Sequence, residues 1–178
     1  LVEQREIAEG TRLFKLDTRE ADFHFLPGQF IELGLPPSAG GMGESHFFSI
    51  ASSPYRLDYI LVATRMRPTP YKRSLSKLEI GMRFRVTAPN GLWQLPSDKK
   101  ERVVFFAGGI GITPVRAVME DAWMENSSRD FTVFYSNRSL AQAAFLDDFN
   151  TWSKEMTSFK FISTVTTNDA AWTGEKGR

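Results

Sequence analysis

Apolar positions in the first part of the chain fall in short segments with partial alternation, the period of half-buried strands. Segments 3–8 and 12–17 are separated by Glu9-Gly10, which suits a hairpin turn. Pro27-Gly28 forms a turn, and Gln29-Phe30-Ile31-Glu32-Leu33 follows as a strand. A glycine- and proline-rich stretch, 36–45, reads as a loop. Further strands are predicted over 46–52, 57–65 and 83–88, the last ending at Pro89-Asn90-Gly91. Six short strands with turn signals between them predict a small antiparallel barrel or sandwich. Tyr71, Leu75 and Leu78 stand at helical spacing and predict one short helix over 71–78.

At Ser97-Asp98-Lys99-Lys100-Glu101-Arg102 the pattern changes. This charged run reads as a boundary between a domain over 1–98 and a second over 99–178, with a solvated loop inside one domain as the alternative. Beyond it strands and helices alternate: strand 103–107, helix 114–124, strand 131–135, helix 143–154 and strand 159–166. A βαβαβ run of this kind builds a parallel sheet with right-handed crossovers, and its ligand belongs beyond the carboxyl ends of the strands. Val103-Val104-Phe105-Phe106-Ala107 is apolar throughout, which predicts a strand buried on both faces. Only three such strands precede the last residue, so the α/β sheet is expected to be incomplete at its C-terminus.

The candidate chemistry sits after that first parallel strand. Gly108, Gly109 and Gly111 remove side chains where the backbone turns, and Thr113 and Pro114 suit an N-cap and a first helical turn. Strand, glycine loop and helix N-terminus together make an anion site that fits a dinucleotide pyrophosphate. A tight turn without a ligand is the alternative, and Pro114 stands where the third glycine of the standard Gly-x-Gly-x-x-Gly fingerprint would be. Composition narrows the field. The 178 residues are 42% hydrophobic and 24% charged, an ordinary globular balance, and the net charge of +1 gives no reason to expect nucleic acid. The absence of cysteine excludes disulfides, thiolate catalysis and a cysteine-ligated cluster within these residues, and His24 and His46 are too few for a histidine-rich metal site. No apolar run approaches a membrane span and the first residues are no signal peptide, so a cytoplasmic protein is expected.

Four motifs in order carry a resemblance that covers nearly the whole chain: Pro27-Gly28-Gln29-Phe30, His46-Phe47-Phe48-Ser49-Ile50-Ala51-Ser52, Pro89-Asn90-Gly91, and Gly108-Gly109-Ile110-Gly111-Ile112-Thr113-Pro114. Together they resemble the ferredoxin–NADP reductase superfamily. The resemblance implies a flavin on an N-terminal six-stranded antiparallel barrel, with FAD expected ahead of FMN and FMN as the alternative, and NAD(P)H as hydride donor on a C-terminal α/β domain. The family's flavin motif reads Arg-x-Tyr/Phe-Ser. By position Phe48 would lie against the flavin ring and Ser49 would hydrogen-bond near the reacting nitrogen, the two residues nearest catalysis. His46 and Phe47 complete that motif. His46 departs from it, because histidine is a single, weaker donor where arginine grips phosphate bidentately. Thr64-Arg65 and Tyr71-Lys72-Arg73-Ser74 match the region where the family contacts the flavin's phosphates and adenosine; for Lys72 and Arg73 a solvated basic face is the competing explanation.

For the nicotinamide dinucleotide the resemblance implies Gly108, Gly109, Gly111, Thr113 and Pro114, with Asn137, Arg138 and Ser139 at the end of the second parallel strand. No acid stands there, which tilts the choice towards NADPH; Arg138 stacking on adenine or facing solvent are the alternatives. The function implied is hydride transfer from NAD(P)H to bound flavin, with electrons passed to a ferredoxin, a cytochrome, an oxygenase component or a small molecule. Two other readings stand beside it: a non-enzymatic flavin- or nucleotide-binding module of a larger electron-transfer assembly, and a structural domain that has lost its ligand. Asp147 and Asp148 read as a solvent-facing pair, and Lys15 and Arg116 as surface or helix-face charges.

Overall fold

The computed structural model describes residues 1–37, 44–93 and 95–177. Most of the predicted loop over 36–45 lies outside the described residues. Among the described residues six strands precede residue 98: β1 (Glu3–Ala8), β2 (Thr11–Asp17), β3 (Phe30–Gly34), β4 (Ser45–Ser49), β5 (Tyr59–Arg65) and β6 (Arg85–Val86). They form two antiparallel sheets of three strands, in the orders β1-β2-β5 and β4-β3-β6. The final strand is much shorter than 83–88. Beyond it the pairing with β3 reduces to a single bridge between Phe30 and Asn90, and Gly91 takes φ +116°, open in practice only to glycine.

Both sheets bury their alternate residues in one core. Phe14, Leu16, Ile60 and Val62 come from the first sheet and Ile31, Leu33 and Phe48 from the second. Helix α1 (Pro70–Ser76) adds Tyr71 and Leu75, the helical spacing read from the sequence. Thr69 caps it, its hydroxyl accepting from the Lys72 amide. After β4 the chain passes from one sheet to the other, and the Ala51 amide donates to Leu61 O of β5 at 2.7 Å.

The remaining elements alternate as the pattern predicted: β7 (Val103–Gly108), α2 (Ile112–Met124), β8 (Phe131–Asn137), α3 (Leu146–Glu155) and β9 (Phe159–Val165), with a two-residue β10 (Glu175–Lys176) that the pattern did not signal. The strands are parallel and adjacent in the order β7-β8-β9-β10. Moving always to the same side with crossovers of one hand puts α2 and α3 on a single face of the sheet. There Val115, Met119, Phe149 and Trp152 pack on Phe105, Val133 and Tyr135.

The expectation that β7 is buried on both faces is therefore corrected. Val103 and Phe105 face the helices and are buried, whereas Val104 and Phe106 on the other face are 47% and 78% exposed. Phe106 stacks on Phe134 of β8 with centroids 5.0 Å apart, an apolar strip without a covering layer among the described residues. An exposed strip of this kind binds apolar dyes and other chains. Phe106→Ser is expected to reduce the fluorescence of an added apolar dye while changing stability by less than about 0.5 kcal/mol. Equal dye binding by variant and parent would show that this strip is not the dye's site.

The two parts meet through a buried ionic network that the sequence did not signal. Arg116 of α2 is 7% exposed, not a helix-face charge in solvent. Its Nη1 donates to Ala51 O at 2.6 Å and to Glu120 Oε2 at 3.2 Å, and its Nε to Asp148 Oδ2 of α3 at 2.7 Å. Asp148 is thus an ion-pair partner rather than one of a solvent-facing pair. The same Glu120 oxygen accepts the Ser53 amide at 2.7 Å, and its other oxygen receives the Arg56 guanidinium at 3.2 Å. Ser53 also donates its hydroxyl to Asp121 Oδ1 at 2.7 Å, while burial pushes the Asp121 carboxyl above its usual range. The guanidinium of Arg116 lies 4.9 Å from the ring of Phe145, which holds a left-handed φ of +60° at the start of α3. Leu13, Ala51, Leu61 and Ala63 pack with Ile110 and Phe145 beside this network.

Candidate functional site

The glycine segment stands where the fold predicts a ligand. Gly108 is the last residue of β7, Gly109–Gly111 form one 3-10 turn, and α2 begins at Ile112. Gly109 has φ +51°, which side chains other than glycine rarely adopt, and a Cβ placed on Gly111 would meet nothing within 4 Å. Thr113 does not cap the helix. Gly111 occupies the N-cap, and Thr113 is the second residue of the helix, its hydroxyl donating to Ile110 O at 3.0 Å. The cap was misjudged because the 3-10 turn continues directly into α2, so the helix starts two residues before Pro114. Pro114 still falls in its first turn, where the missing amide hydrogen costs nothing.

A groove of about 1250 Å³ opens beside this loop. It runs across the carboxyl ends of the parallel strands and along the uncovered sheet face, lined by Gly108, Gly109, Asn137, Arg138, Phe134 and Ile162 among others. The register explains the convergence: Gly108 of β7 lies opposite Ser136 of β8, so Asn137 and Arg138 follow just beyond the loop. Asn137 is 6% exposed and its Oδ1 is buried without a partner, although its backbone carbonyl receives the Thr166 amide at 2.9 Å. Arg138 is exposed, its carbonyl engaged by the Thr167 amide at 3.0 Å. Ser139 begins the next 3-10 turn and makes no side-chain capping bond. Gly108, Gly109, Asn137 and Arg138 are thus brought to one groove, whereas Thr113 and Pro114 are not among its lining residues.

The residues expected around a flavin divide differently. His46 and Phe47 are exposed on β4, Phe47 at 69%, with its ring edge-on to Phe30 at 5.6 Å. Phe48 is 7% exposed and belongs to the antiparallel core, so it offers no free ring face; Phe47, its neighbour on the opposite side of the strand, does. Ser49 is half-buried at the end of β4 opposite Phe30. His46 stacks on Tyr71 of α1 at 4.1 Å, and burial holds the Tyr71 hydroxyl far above its ordinary pKa while it donates to Leu33 O at 2.8 Å.

Thr64 is buried at the end of β5, where Lys72 Nζ donates to its hydroxyl and to Arg65 O at 2.9 Å. Burial, helped by Arg67, lowers the Lys72 pKa. Arg73 turns elsewhere and donates to Pro68 O at 2.6 Å, and Ser74 is half-buried on α1. His46 thus pairs with Tyr71 and Lys72 with Thr64, the ring of Phe48 lying between the two pairs, and Arg73 joins neither.

Two features of the site chemistry are negative. Among the described residues no group of three or more His, Asp or Glu side chains could hold a metal ion, and no helix is long and apolar enough to cross a membrane.

Comparison with known proteins fits this geometry. A family model for an oxidoreductase NAD-binding domain matches residues 105–178, the stretch that contains the glycine loop and most of the groove's lining. The chain is 25% identical over 158 residues to ferredoxin–NADP reductase B of Sorangium cellulosum, covering 87% of this chain and 63% of that protein. It is also 25% identical over 143 residues to the terephthalate 1,2-dioxygenase reductase component 1 of a Comamonas species, covering 80% of this chain and 41% of the relative. The chain thus spans between about two fifths and two thirds of these relatives' lengths. The crystal structure of a flavohemoglobin from Malassezia yamatoensis with bound FAD and heme superposes on all of this chain with a TM-score of 0.87 at 22% identity, over 47% of that protein. The antiparallel sheets followed by a parallel sheet with helices recur there. With a glycine loop at the carboxyl end of the first parallel strand, an oxidoreductase NAD-binding match over 105–178 and reductase relatives that match both parts, the chain is similar to ferredoxin–NADP reductase-like reductase components.

Proposed function

We propose that this chain is the flavin- and nicotinamide-binding part of an NAD(P)H-dependent reductase, with residues 1–98 closing as a six-stranded flavin barrel and 99–178 holding the dinucleotide. The observation that carries this reading is the groove at the carboxyl ends of β7 and β8, floored by Gly108 and Gly109 and walled by Asn137 and Arg138. These residues fit a dinucleotide. Gly109 permits a close backbone approach, Gly111 leaves open space where a side chain would stand, and the buried, unpartnered Asn137 Oδ1 awaits a donor of the kind a ribose hydroxyl or an amide supplies.

The antiparallel part supplies the flavin contacts: the free face of Phe47, the Ser49 hydroxyl, His46 and the Thr64–Lys72 pair. When both cofactors are bound, nicotinamide supplies a hydride and flavin accepts it. The protein's task is positioning. Arg116 and Glu120 clamp Ala51 and Ser53, immediately after the β4 flavin motif, to the helix that follows the glycine loop, so the two sites keep a fixed separation. Arg138 at the groove edge favours NADPH over NADH, and FAD is favoured over FMN. The electron acceptor is a protein or a small molecule, such as the ferredoxins and oxygenase components that the names of the relatives specify.

The test is an anaerobic absorption spectrum of the flavin-loaded protein before and after NADPH or NADH. Bleaching of the flavin bands is expected, at lower NADPH than NADH. Flavin that stays oxidised with both would favour the second reading, a binding module without reductase activity, and absence of any flavin binding would overturn the assignment of the antiparallel part.

A further inference from the structure

The chain carries five asparagines, and their surroundings differ. Asn137 is buried, and Asn150 lies inside α3. Asn126 and Asn168 are exposed, but the amide that follows each is tied to a main-chain carbonyl: Ser127 N–H donates to Ala122 O at 2.9 Å and Asp169 N–H to Thr167 O at 2.9 Å. Asn90 is different. It is exposed, glycine follows it, and the Gly91 N–H donates to the side-chain Oδ1 of Asn90 itself at 2.7 Å.

That arrangement is reactive. An asparagine loses its amide when the main-chain nitrogen of the next residue attacks its Cγ, and folded chains usually oppose this by shielding that nitrogen with a side chain or by committing it to another acceptor. Gly91 has no side chain, and its φ of +116° is open in practice only to glycine. Its N–H is committed to the very carboxamide that it would attack. The turn is held in this geometry from the other side, because Phe30 N–H donates to Asn90 O and Asn90 N–H to Phe30 O, both at 2.9 Å, and the Gly91 nitrogen takes no part in that bridge.

We infer that Asn90 is a site of spontaneous deamidation, selected by the fold at the turn it makes with Gly91. The Gly91 nitrogen gives its proton to hydroxide and bonds to Asn90 Cγ; the Cγ–Nδ2 bond breaks, and ammonia leaves with a proton drawn from water. The product is a cyclic imide, which water then opens. Cleavage at one carbonyl gives aspartate on the original main chain, and cleavage at the other gives isoaspartate, whose main chain runs through Cγ and is longer by one methylene. One water enters, one ammonia leaves, and nothing is oxidised or reduced. The longer main chain cannot keep both bonds to Phe30. Phe30 supports the exposed Phe47 ring edge-on at 5.6 Å, so the face proposed for flavin loosens with the bridge; this consequence rests on the flavin reading, and the modification does not.

In the experiment the 178-residue chain is incubated in mildly alkaline buffer, folded and in concentrated urea, and every asparagine is followed by peptide mass spectrometry with methyltransferase labelling of isoaspartate. Modification is expected at Asn90, faster as pH rises, at a folded rate within about tenfold of that in urea. The ratio of modification at Asn90 to that at Asn126 should be larger in the folded chain than in urea, because folding occupies the Ser127 amide and not the attack at Gly91. Asn90→Gln, whose longer side chain needs a larger ring, should stay unmodified at that position. The isoaspartyl fraction, separated by ion exchange, should unfold at a lower temperature and hold less flavin than the parent, whereas Asn90→Asp, which has the charge on an ordinary main chain, should match the parent's unfolding temperature. A rate at Asn90 that folding lowers by more than about tenfold would overturn the proposal, as would a ratio to Asn126 that folding leaves equal or reduces. If the parent binds no flavin, the flavin reading falls while the mass readout still decides the fate of Asn90.

Discussion

Glu120→Ala is expected to destabilise the protein by about 3 kcal/mol, with a thermal midpoint lower by roughly 6–12 °C. Glu120 is 3% exposed and satisfies three groups at once, the Ser53 amide, Arg116 and Arg56. Removing one partner of a buried ionic network leaves charge uncompensated, which costs more than the network itself contributes. The loss should stay at the lower end of the usual range because Arg116 keeps Asp148 and Ala51 O. Glu120→Gln retains an acceptor for the Ser53 amide and should lose about half as much. Urea unfolding of the three proteins decides the matter. A change below about 0.5 kcal/mol in Glu120→Ala would show that the two parts are held mainly by the apolar contacts of Leu13, Leu61, Ile110 and Phe145.

Gly109→Glu should abolish useful nucleotide binding. The residue has φ +51°, so any side chain is strained there, and this one would place a carboxylate where the pyrophosphate of the proposed dinucleotide lies. Two like charges about 4 Å apart at an effective dielectric constant near 20 repel by about 4 kcal/mol. A loss of NADPH affinity of at least about a hundredfold follows, with flavin content unchanged. Gly109→Ala separates the two causes, since it carries the strain without the charge and should lose less than about tenfold. Equal NADPH affinity in Gly109→Glu and the parent, by titration of flavin reduction, would remove the glycine loop from the binding site.

Much of the architecture was legible because its signals are local. Glu9-Gly10 between two alternating segments gives a hairpin, and Gly10 indeed takes φ +65°. The spacing of Tyr71 and Leu75 gives α1, and the alternation of apolar strand with periodic helix gives the parallel sheet. The groove's glycine loop and the residues facing it on β8 were legible for the same reason, since a glycine run after an apolar strand and the polar end of the next strand are fixed by chain order. Arg138 and Asn137 reach the loop because parallel register carries them there.

What failed depends on neighbours distant in the chain. Arg116 reads as a helix-face charge from its own surroundings, yet it is buried because Ala51, Glu120 and Asp148 converge on it from three segments. Phe48 and Phe47 are indistinguishable by composition; only the pleat, and which face of β4 meets the shared core, decides that Phe48 is packed and Phe47 is free. The apolar run Val103–Ala107 is consistent with burial on both faces. That both helices lie on one side of the sheet follows from strand order, which no local period encodes.

Sequence alone thus determined the order of elements, the glycine turn at the end of β7 and the resemblance to reductases, because hydrophobic period, turn chemistry and short motifs are properties of adjacent residues. Tertiary structure alone decided the exposure of Phe47, the buried network at the junction and the uncovered sheet face, because each is set by which distant segments meet and by what they leave uncovered.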